Sequence, residues 1–419
     1  MLIQRVEQQV IRKSHPKYKI IDEMCFRSKD LYNYANYIIR QEFICKGNYI
    51  GYYDMNKELK THQQYKDCMS QPANCILRNL DKAWKSYFAA IKDWKKNPGK
   101  YLGMPKLPKY LHKDGRYPWM IPNNSCFYND NGTIRFKISR LQGYIWKSQC
   151  FGRLIQIRFI PKGSCYVMEI VYEIEVSDEK ETESKRIASI DIGVDNLVTM
   201  TNNIGEQPII INGKGIKSIN QFYNKQIGKE KSLLKIRHNK DWSKKLDNIS
   251  FKRNQKIKNY MHNASTYIIR WCLENNIDTL VVGHNKEWKQ GSSMNKKSNQ
   301  KFIMIPFNML LWHLEYKCQN VGIKFILTEE SYTSGTSFLD GEDPVKKNYD
   351  KSRRVQRGLF KSNSGRLINS DVNGSLQIMK KVFPNAFNEC YGIEGVLAPM
   401  VISVAKVARF TINAIEKLQ

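Results

Sequence analysis

The spacing of hydrophobic positions changes along the first half of the chain. Residues 1–15 alternate loosely between apolar and polar side chains and predict a strand. From residue 18 to 91 the apolar positions follow a helical period, most clearly over 74–94, and Asn97-Pro98-Gly99 ends this helical part. From 117 to 176 short apolar runs between turn signals predict strands, which together with the N-terminal strand could close a small barrel.

The second half alternates between buried strands and helices. It follows a charged, polar segment at 177–185, which we interpret as a domain boundary. Strands are predicted at 186–200 (a hairpin), 279–283 and 322–330, and helices at 218–275, at 306–320 and within 367–382. This alternation is typical of an α/β sheet with helices layered against it.

The chain carries a large positive charge. Its 68 Lys and Arg residues exceed its 39 Asp and Glu residues by 29. A surplus of this size destabilises a compact chain by self-repulsion unless a polyanion neutralises it, so nucleic acid is the predicted partner. A basic surface without such a partner is the alternative.

The basic residues concentrate around 95–110, within 218–275 and within 331–367. The loop 100–110 is basic, contains prolines and aromatic side chains, and suits phosphate contacts with base stacking, with a solvated linker as the alternative. The predicted nucleic-acid-binding residues are Lys95, Lys96, Lys106, Lys109, Tyr110, Lys244, Lys245, Lys252, Arg253, Arg353, Arg354 and Arg357.

The sequence has no run of 18 apolar residues and does not begin with the layout of a signal peptide. We therefore expect an intracellular protein that does not bind a membrane. Ten cysteines are scattered without a Cys-x-x-Cys pair, so we expect neither a disulfide framework nor a zinc site.

Two aspartates are candidates for catalysis. Asp191 lies in an apolar strand, where an ionised carboxylate is costly unless it is paired or binds a metal ion. Alone, such a residue is more often structural. Asp371 lies in the first turn of the closing helix, and with an acid at a later strand end it would converge on Asp191. A two-metal phosphodiester nuclease needs clustered carboxylates of this kind.

These residues lie in motifs that carry a family resemblance. The segments Asp191-Ile-Gly-Val-Asp-Asn-Leu197, Tyr332-Thr-Ser334 and Leu367-Ile-Asn-Ser-Asp-Val-Asn-Gly374 resemble the RuvC-type nuclease motifs of the TnpB family. These are RNA-guided DNA endonucleases of insertion sequences, related to type V CRISPR effectors. The resemblance is good over 186–383 and weaker over the N-terminal part.

The resemblance implies a multidomain α+β protein with an RNase H-like (RuvC) α/β nuclease domain. A β-barrel wedge domain with a helical recognition insert precedes it. The implied limits are 1–15 and 115–180 for the wedge domain, 16–114 for the recognition domain, 186–330 and 360–383 for the nuclease domain, 331–359 for a degenerate target-nucleic-acid-binding loop, and 384–419 for a C-terminal tail.

The resemblance also implies partners and cofactors. These are a guide RNA from the transposon end, target double-stranded DNA with a short adjacent motif, and two Mg²⁺ ions. Asp191 and Asp371 carry over as catalytic, metal-binding acids. A member of the family is expected in the cytosol of a prokaryote, associated with the nucleoid through DNA.

The sequence departs from the family pattern at two points. The usual second acid falls on Gly283, and the usual four-cysteine zinc ribbon is absent. Some members of the family carry this acid just before the Thr-Ser pair, and the spacing of Glu330 to Thr333-Ser334 matches that pattern. The resemblance therefore implies that Glu330 supplies the missing catalytic and metal-binding carboxylate. Its strand should also lie parallel and adjacent to 279–283 and end at the edge of the sheet that carries Asp191. Side chains alternate along a strand, so only one of Glu329 and Glu330 can face the site. Glu287 is the other candidate.

Three functions follow. The leading one is an RNA-guided DNA endonuclease that hydrolyses phosphodiesters with Mg²⁺. The second, motivated by Gly283, is a nuclease-dead RNA-guided repressor that only binds DNA. The third is a guide-independent, transposase-like nuclease.

Overall fold

A computed structural model describes residues 2–129, 132–149, 152–175, 184–285, 295–387 and 398–403. Contacts between residues divide the chain into two units, 1–176 and 177–419. Both units combine helices with sheets, so this is a multidomain protein of mixed α/β class. Within the described ranges no helix is long and apolar enough to cross a membrane.

The helices of the first unit occupy the region predicted to be helical. They are α1 (Tyr18–Lys46), α2 (Tyr52–Leu59), α3 (Gln63–Cys68) and α4 (Ser70–Lys96). Their shared core contains the fully buried Trp84, whose indole N–H donates to Asn36 Oδ1 at 3.0 Å. The continuous helical pattern of the sequence is therefore divided among several helices.

The strands of the first unit form two sheets. They are β1 (Leu2–Ile11), β2 (Trp119–Pro122), β3 (Cys126–Asn129), β4 (Thr133–Phe136), β5 (Trp146–Lys147), β6 (Arg153–Lys162) and β7 (Cys165–Glu175). One sheet has the order β1-β7-β6-β2 and the other β3-β4-β5, and side chains from both enter one core. In the described ranges β1 and β2 are the edges of the larger sheet, so the predicted closed barrel is not confirmed.

The second unit is built on a central sheet. Its strands are β8 (Ile187–Ile192), β9 (Asn196–Asn202), β10 (Ile209–Asn212), β11 (Thr279–Gly283) and β12 (Lys324–Thr328), together with a short hairpin of β13 (Leu359–Lys361) and β14 (Leu367–Asn369) and the edge strand β15 (Met400–Ile402). The sheet order is β12-β11-β8-β9-β10-β15. The strand β11 is parallel to both β8 and β12, and β8 is antiparallel to β9.

The helices of the second unit cover this sheet. They are α5 (Lys214–His238), α6 (Lys244–Glu274), α7 (Lys296–Ile303), α8 (Phe307–Val321) and α9 (Ser370–Val382). Side chains of α6 and α8 share one core with Ala188, Ile190 and Ile192 of β8. The alternate residues of β8, Ser189 and Asp191, point to the other face, where α9 packs.

A carboxylate network holds together the loop between β12 and α9. Glu342 accepts hydrogen bonds from Arg353 Nη1 (2.6 Å), Ser337 N (2.9 Å) and Asn363 Nδ2 (3.1 Å). Asp340 accepts another from Asn363 N at 2.7 Å. Hydrogen bonds and an ion pair therefore connect the two ends of this loop. The expectation that the protein lacks zinc stays a prediction.

We predict that Glu342→Gln destabilises the second unit by about 1–3 kcal/mol, the range for losing hydrogen bonds to a charged group. Burial alone would raise the pKa of Glu342, but hydrogen bonds from Arg353 and Ser337 lower it overall. A lowered pKa contributes stability above the unfolded value of about 4.3, and this contribution is lost as pH falls through the folded value.

Denaturant unfolding of the wild type and Glu342→Gln should therefore differ fully at pH 7 and less below about pH 4. The exposed Glu315 provides a matched control, because Glu315→Gln should change little. An equal loss at both pH values would show that the charge of Glu342 is not the stabilising feature.

Candidate active site

Two of the predicted acids lie at the same edge of the central sheet. Asp191 is near the end of β8, and Glu330 follows β12 by two residues. Both strands run parallel to β11, which lies between them. The prediction that the strand before Glu330 is parallel and adjacent to 279–283, and ends at the edge that carries Asp191, is confirmed.

The helix α9 brings the third acid to this edge. Asn369 caps the helix, and its side-chain oxygen accepts hydrogen bonds from the backbone N–H groups of Asp371 (2.9 Å) and Val372 (3.2 Å). Two small residues then allow the helix to approach β8. A Cβ atom at Gly374 would lie 2.9 Å from Asp191 Oδ2, and Ser375 Oγ donates to Ser189 O at 2.9 Å.

The three acids line one pocket of about 270 Å³. Its other lining residues are Ile192, Gly193, Asn196, Thr199, Asn285, Thr333, Ser334 and Arg354. Asp191, Glu330 and Asp371, which are far apart in the sequence, therefore converge as predicted. Their roles in binding and catalysis remain to be tested.

Gly283 makes room for Glu330. A Cβ atom at position 283 would lie 2.7 Å from Glu330 Cγ, 2.9 Å from Glu330 Oε1 and 2.5 Å from Ile378 Cδ1. Atoms this close overlap. The side chain of Glu330 therefore occupies the space into which an acid at position 283 would have to extend, which explains why glycine stands there.

The backbone around Glu330 is held by local hydrogen bonds. Glu330 N–H donates to Asn285 Oδ1 at 2.9 Å, and Thr333 Oγ1 donates to Glu330 O at 2.8 Å. Between them Tyr332 adopts a left-handed backbone conformation, with φ of 68°. Glu329 is exposed, and Glu287 lies outside the described residues. Of the two adjacent glutamates, Glu330 is the one that lines the pocket.

The pocket concentrates negative charge. Burial raises the pKa of Asp191 well above that of an ordinary aspartate, and Glu330 and Asp371 raise it further, whereas Arg354 lowers it. Burial also raises the pKa of Glu330 to about 7. Asn196 Nδ2 donates to Asp371 Oδ2 at 2.8 Å. A cation among these carboxylates would offset their mutual repulsion.

The oxygen donors suit a hard divalent cation. Glu330 Oε1 is buried and has no hydrogen-bond partner, although a buried carboxylate oxygen ordinarily needs one. Mg²⁺ prefers carboxylate oxygens and keeps several of its water ligands. Within the part of the chain that the structure describes, however, no three His, Cys, Asp or Glu side chains already have the spacing of a closed metal-ligand set.

The predicted nucleic-acid-binding residues differ in their surroundings. The exposed ones are Lys95, Lys96, Lys106, Lys109, Tyr110, Lys244, Lys245, Lys252, Arg354 and Arg357. Two of these exposed residues also form ion pairs, Lys245 with Glu230 and Arg357 with Asp195. Two partly buried arginines are held by acceptors of the protein. Arg253 donates to Asn220 Oδ1 and Met304 O, each at 2.7 Å from Nη2, and Arg353 pairs with Glu342. The structure favours structural roles for these two, because their donors are already engaged.

Two amides of the site were not among the residues predicted from the sequence. Asn196 holds Asp371, and Asn285 holds the backbone of Glu330. Asn196 lies within the motif that begins at Asp191, at the end of its turn, and Asn285 follows the strand 279–283. A polar residue just beyond the carboxyl end of a buried strand was the available signal.

Comparisons with known proteins agree with these motifs. Residues 169–289 match the family OrfB_IS605, described as a probable transposase, and residues 307–378 match the Cas12f1-like TNB domain. The two spans contain all three pocket carboxylates. A TnpB-like protein, ORF457 of Acidianus two-tailed virus, is 24% identical over 407 residues, covering 86% of this chain and 83% of the viral protein.

Two solved structures are also similar. One is a Cas12f1 complex with sgRNA and target DNA, with 17% identity, a TM-score of 0.36, and coverage of 90% of this chain and 98% of that chain. The other is a CRISPR Cas12f ternary complex, with 15% identity, a TM-score of 0.36, and coverage of 86% and 80%.

The motifs and the two matched families define a protein of the transposon-associated, Cas12-like nuclease class. These matches support the resemblance to the TnpB family that the sequence motifs carry.

We predict that Gly283→Ala destabilises the protein by about 1–3 kcal/mol, because overpacking a filled core site has this cost. Glu330→Ala removes the glutamate atoms that the new methyl group would meet. In a double-mutant cycle measured by denaturant unfolding, Gly283→Ala should therefore cost less in the Glu330→Ala background. Additive effects would contradict the steric coupling.

We also predict that Glu330→Gln stabilises the metal-free protein at pH 8. The folded pKa of about 7 exceeds the unfolded value, so the folded state loses stability as pH rises through this range. Glutamine cannot ionise, and the gain should be on the order of 1–3 kcal/mol. In chelator the gain should shrink as pH falls from 7 and vanish below about pH 4, where Glu330 is protonated in both the folded and the unfolded state. The exposed neighbour is the control, since Glu329→Gln should have no effect at either pH.

Proposed function

We propose that this protein is an RNA-guided DNA endonuclease of an insertion sequence that hydrolyses phosphodiester bonds with Mg²⁺. The observation that carries the proposal is the convergence of Asp191, Glu330 and Asp371 in one pocket. They come from two strand ends and one helix start, and one of their buried oxygens lacks any hydrogen-bond partner.

Asp191, Glu330 and Asp371 would hold the ions. When bound, two Mg²⁺ ions supply an activated water and neutralise charge at the attacking and leaving oxygens. The protein keeps the carboxylates in place. Asn196 fixes one oxygen of Asp371, and the hydrogen bond to Asn285 fixes the backbone that carries Glu330.

Two further residues would act on the substrate. Arg354 is exposed and lines the carboxylate pocket, so its guanidinium can bind an oxygen of the phosphate that is cut. Gly193 has no side chain and also lines the pocket, which lets the phosphodiester backbone approach closely. Both features suit an anionic substrate beside an anionic site.

The partners proposed are a guide RNA from the transposon end and double-stranded target DNA with a short adjacent motif. The formal charge of +29 supports nucleic acid as the partner. The similarity to the TnpB family supports the guide. The exposed cations of α4, of the loop after it and of α6 offer contacts to phosphates.

The nuclease-dead repressor was motivated by Gly283, and the structure supplies an argument against it. In a site that had lost its second acid, the space beside position 283 would contain no carboxylate. Here the side chain of Glu330 lies within 3 Å of the Cβ position at residue 283 and is directed into the same pocket. The guide-independent nuclease would differ in having no RNA in the purified protein.

We predict that Asp191→Asn, Asp371→Asn and Glu330→Gln each reduce cleavage of a guided target below detection while target binding changes only a few-fold. Each variant keeps its shape and removes one charge that a two-metal site needs. Cleavage in Mg²⁺ and binding of the RNA-loaded protein are measured separately. Glu329→Gln is the matched control and should cut normally.

Three outcomes would change the proposal. Normal cleavage by Glu330→Gln would remove Glu330 from the site. A wild-type protein that carries RNA and binds its target without cutting would be a repressor. Cleavage by protein that carries no RNA would indicate the guide-independent nuclease.

A further inference from the structure

A second pocket, of about 640 Å³, adjoins the carboxylate pocket. The two share Gly193, Asn196, Arg354 and Asp371, so they form one continuous depression. Its volume lies within the range of roughly 300–1,000 Å³ that is usual for pockets that bind small ligands. A polymer that entered the carboxylate pocket would have neighbouring units in this second one.

The second pocket has three walls. They are the turn between β8 and β9, the segment Arg354–Gly358 before β13, and the first turn of α9. Its charged residues are Arg354, Arg357, Asp195 and Asp371. The presence of two arginines beside an acidic site indicates a ligand that carries its own negative charge.

Arg357 is poised to exchange partners. Its side chain is 87% exposed, and its guanidinium pairs with Asp195. An ion pair between exposed side chains contributes little to stability. Asp195 also pairs with Lys217, whose side chain is only 19% exposed. If Arg357 leaves, the carboxylate of Asp195 therefore still has Lys217 as a cationic partner.

We propose that this second pocket binds the DNA strand next to the phosphodiester that is cut, and that Arg357 leaves Asp195 to bind one phosphate of that strand. The inference rests on the proposed function. Asp195 then competes with the phosphate of the strand for the guanidinium of Arg357. A DNA strand fits better than the guide RNA, because a strand that continues into the carboxylate pocket would be hydrolysed.

The arginine at position 357 is suited to this exchange. A guanidinium can bind two oxygens of a phosphate at once, whereas a lysine offers a single point charge. Next to it, Gly358 has a φ of 81°, and a Cβ atom there would have open space. The turn beside Arg357 is therefore not crowded by side chains.

The test measures binding of a short fluorescent single-stranded oligothymidine without Mg²⁺, using RNA-loaded protein that carries Asp191→Asn. We expect Arg357→Ala to weaken binding about 5- to 10-fold and to reduce the log–log salt slope by about 1, as for the loss of one phosphate contact. Arg357→Lys should lose part of the affinity. The exposed Arg366 lies outside this pocket, and Arg366→Ala should bind normally.

Asp195 gives a prediction of opposite sign. Asp195→Asn frees Arg357 and should tighten oligothymidine binding a few-fold, but it should have no such effect when combined with Arg357→Ala. Unfolding curves check that each variant is folded. If Asp195→Asn is unfolded, Lys217→Ala replaces it, and this variant should weaken binding because Asp195 then holds Arg357 alone.

Equal weakening by Arg357→Ala and Arg366→Ala, or additive effects at positions 195 and 357, would overturn the proposal. Loss of guide RNA instead of oligothymidine would assign the pocket to the guide and also overturn it. If the effects at Asp195 and Arg357 are coupled but the protein never cuts DNA, strand binding in the second pocket is supported and the endonuclease function is contradicted. If the protein cuts its guided target but the two effects are not coupled, the endonuclease function is supported and strand binding by Arg357 is contradicted.

Discussion

The site depends on how closely α9 can approach β8. At Gly374 any larger side chain would meet the carboxylate of Asp191, so the helix backbone itself forms that wall of the site. Next to this contact the hydroxyl groups of Ser189, Thr201 and Ser375 form hydrogen bonds with one another. These polar groups can therefore be buried between α9 and the sheet. The same helix holds the next loop, because Asn373 Oδ1 accepts a hydrogen bond from Phe338 N. One packing contact thus positions Asp371 against the sheet and anchors the polypeptide that follows Glu330.

Positions 283 and 330 compete for one volume. An acid on β11 and an acid after β12 would both extend into the space that Glu330 now fills, and Ile378 closes that space from α9. A site of this shape can therefore take its carboxylate from either strand but not from both without rearrangement. Moving the acid between strands requires two substitutions, and the glycine is as much a part of the arrangement as the glutamate.

The sequence predicted best what local pattern determines. The run 279–283 is apolar and short, and it forms β11 with the same limits. The pocket acids were found because they lie in motifs or at the end of a predicted strand. Features that depend on distant partners were missed or misjudged. Periodicity over 18–91 does not show where one helix ends and the next begins. Strand propensity does not decide whether β1 pairs with β2 to close a barrel. Charge alone does not distinguish the exposed Arg354 from Arg353, which pairs with Glu342.

The network around Glu342 also determines which stresses can loosen the loop before α9. A ribbon of cysteine thiolates on zinc fails when a chelator removes the ion or an oxidant attacks the sulfur. Carboxylates bonded to a guanidinium and to backbone N–H groups are indifferent to both agents and respond to acid and to ionic strength. A chelator would therefore leave this loop, and the packing of α9 that follows it, unchanged.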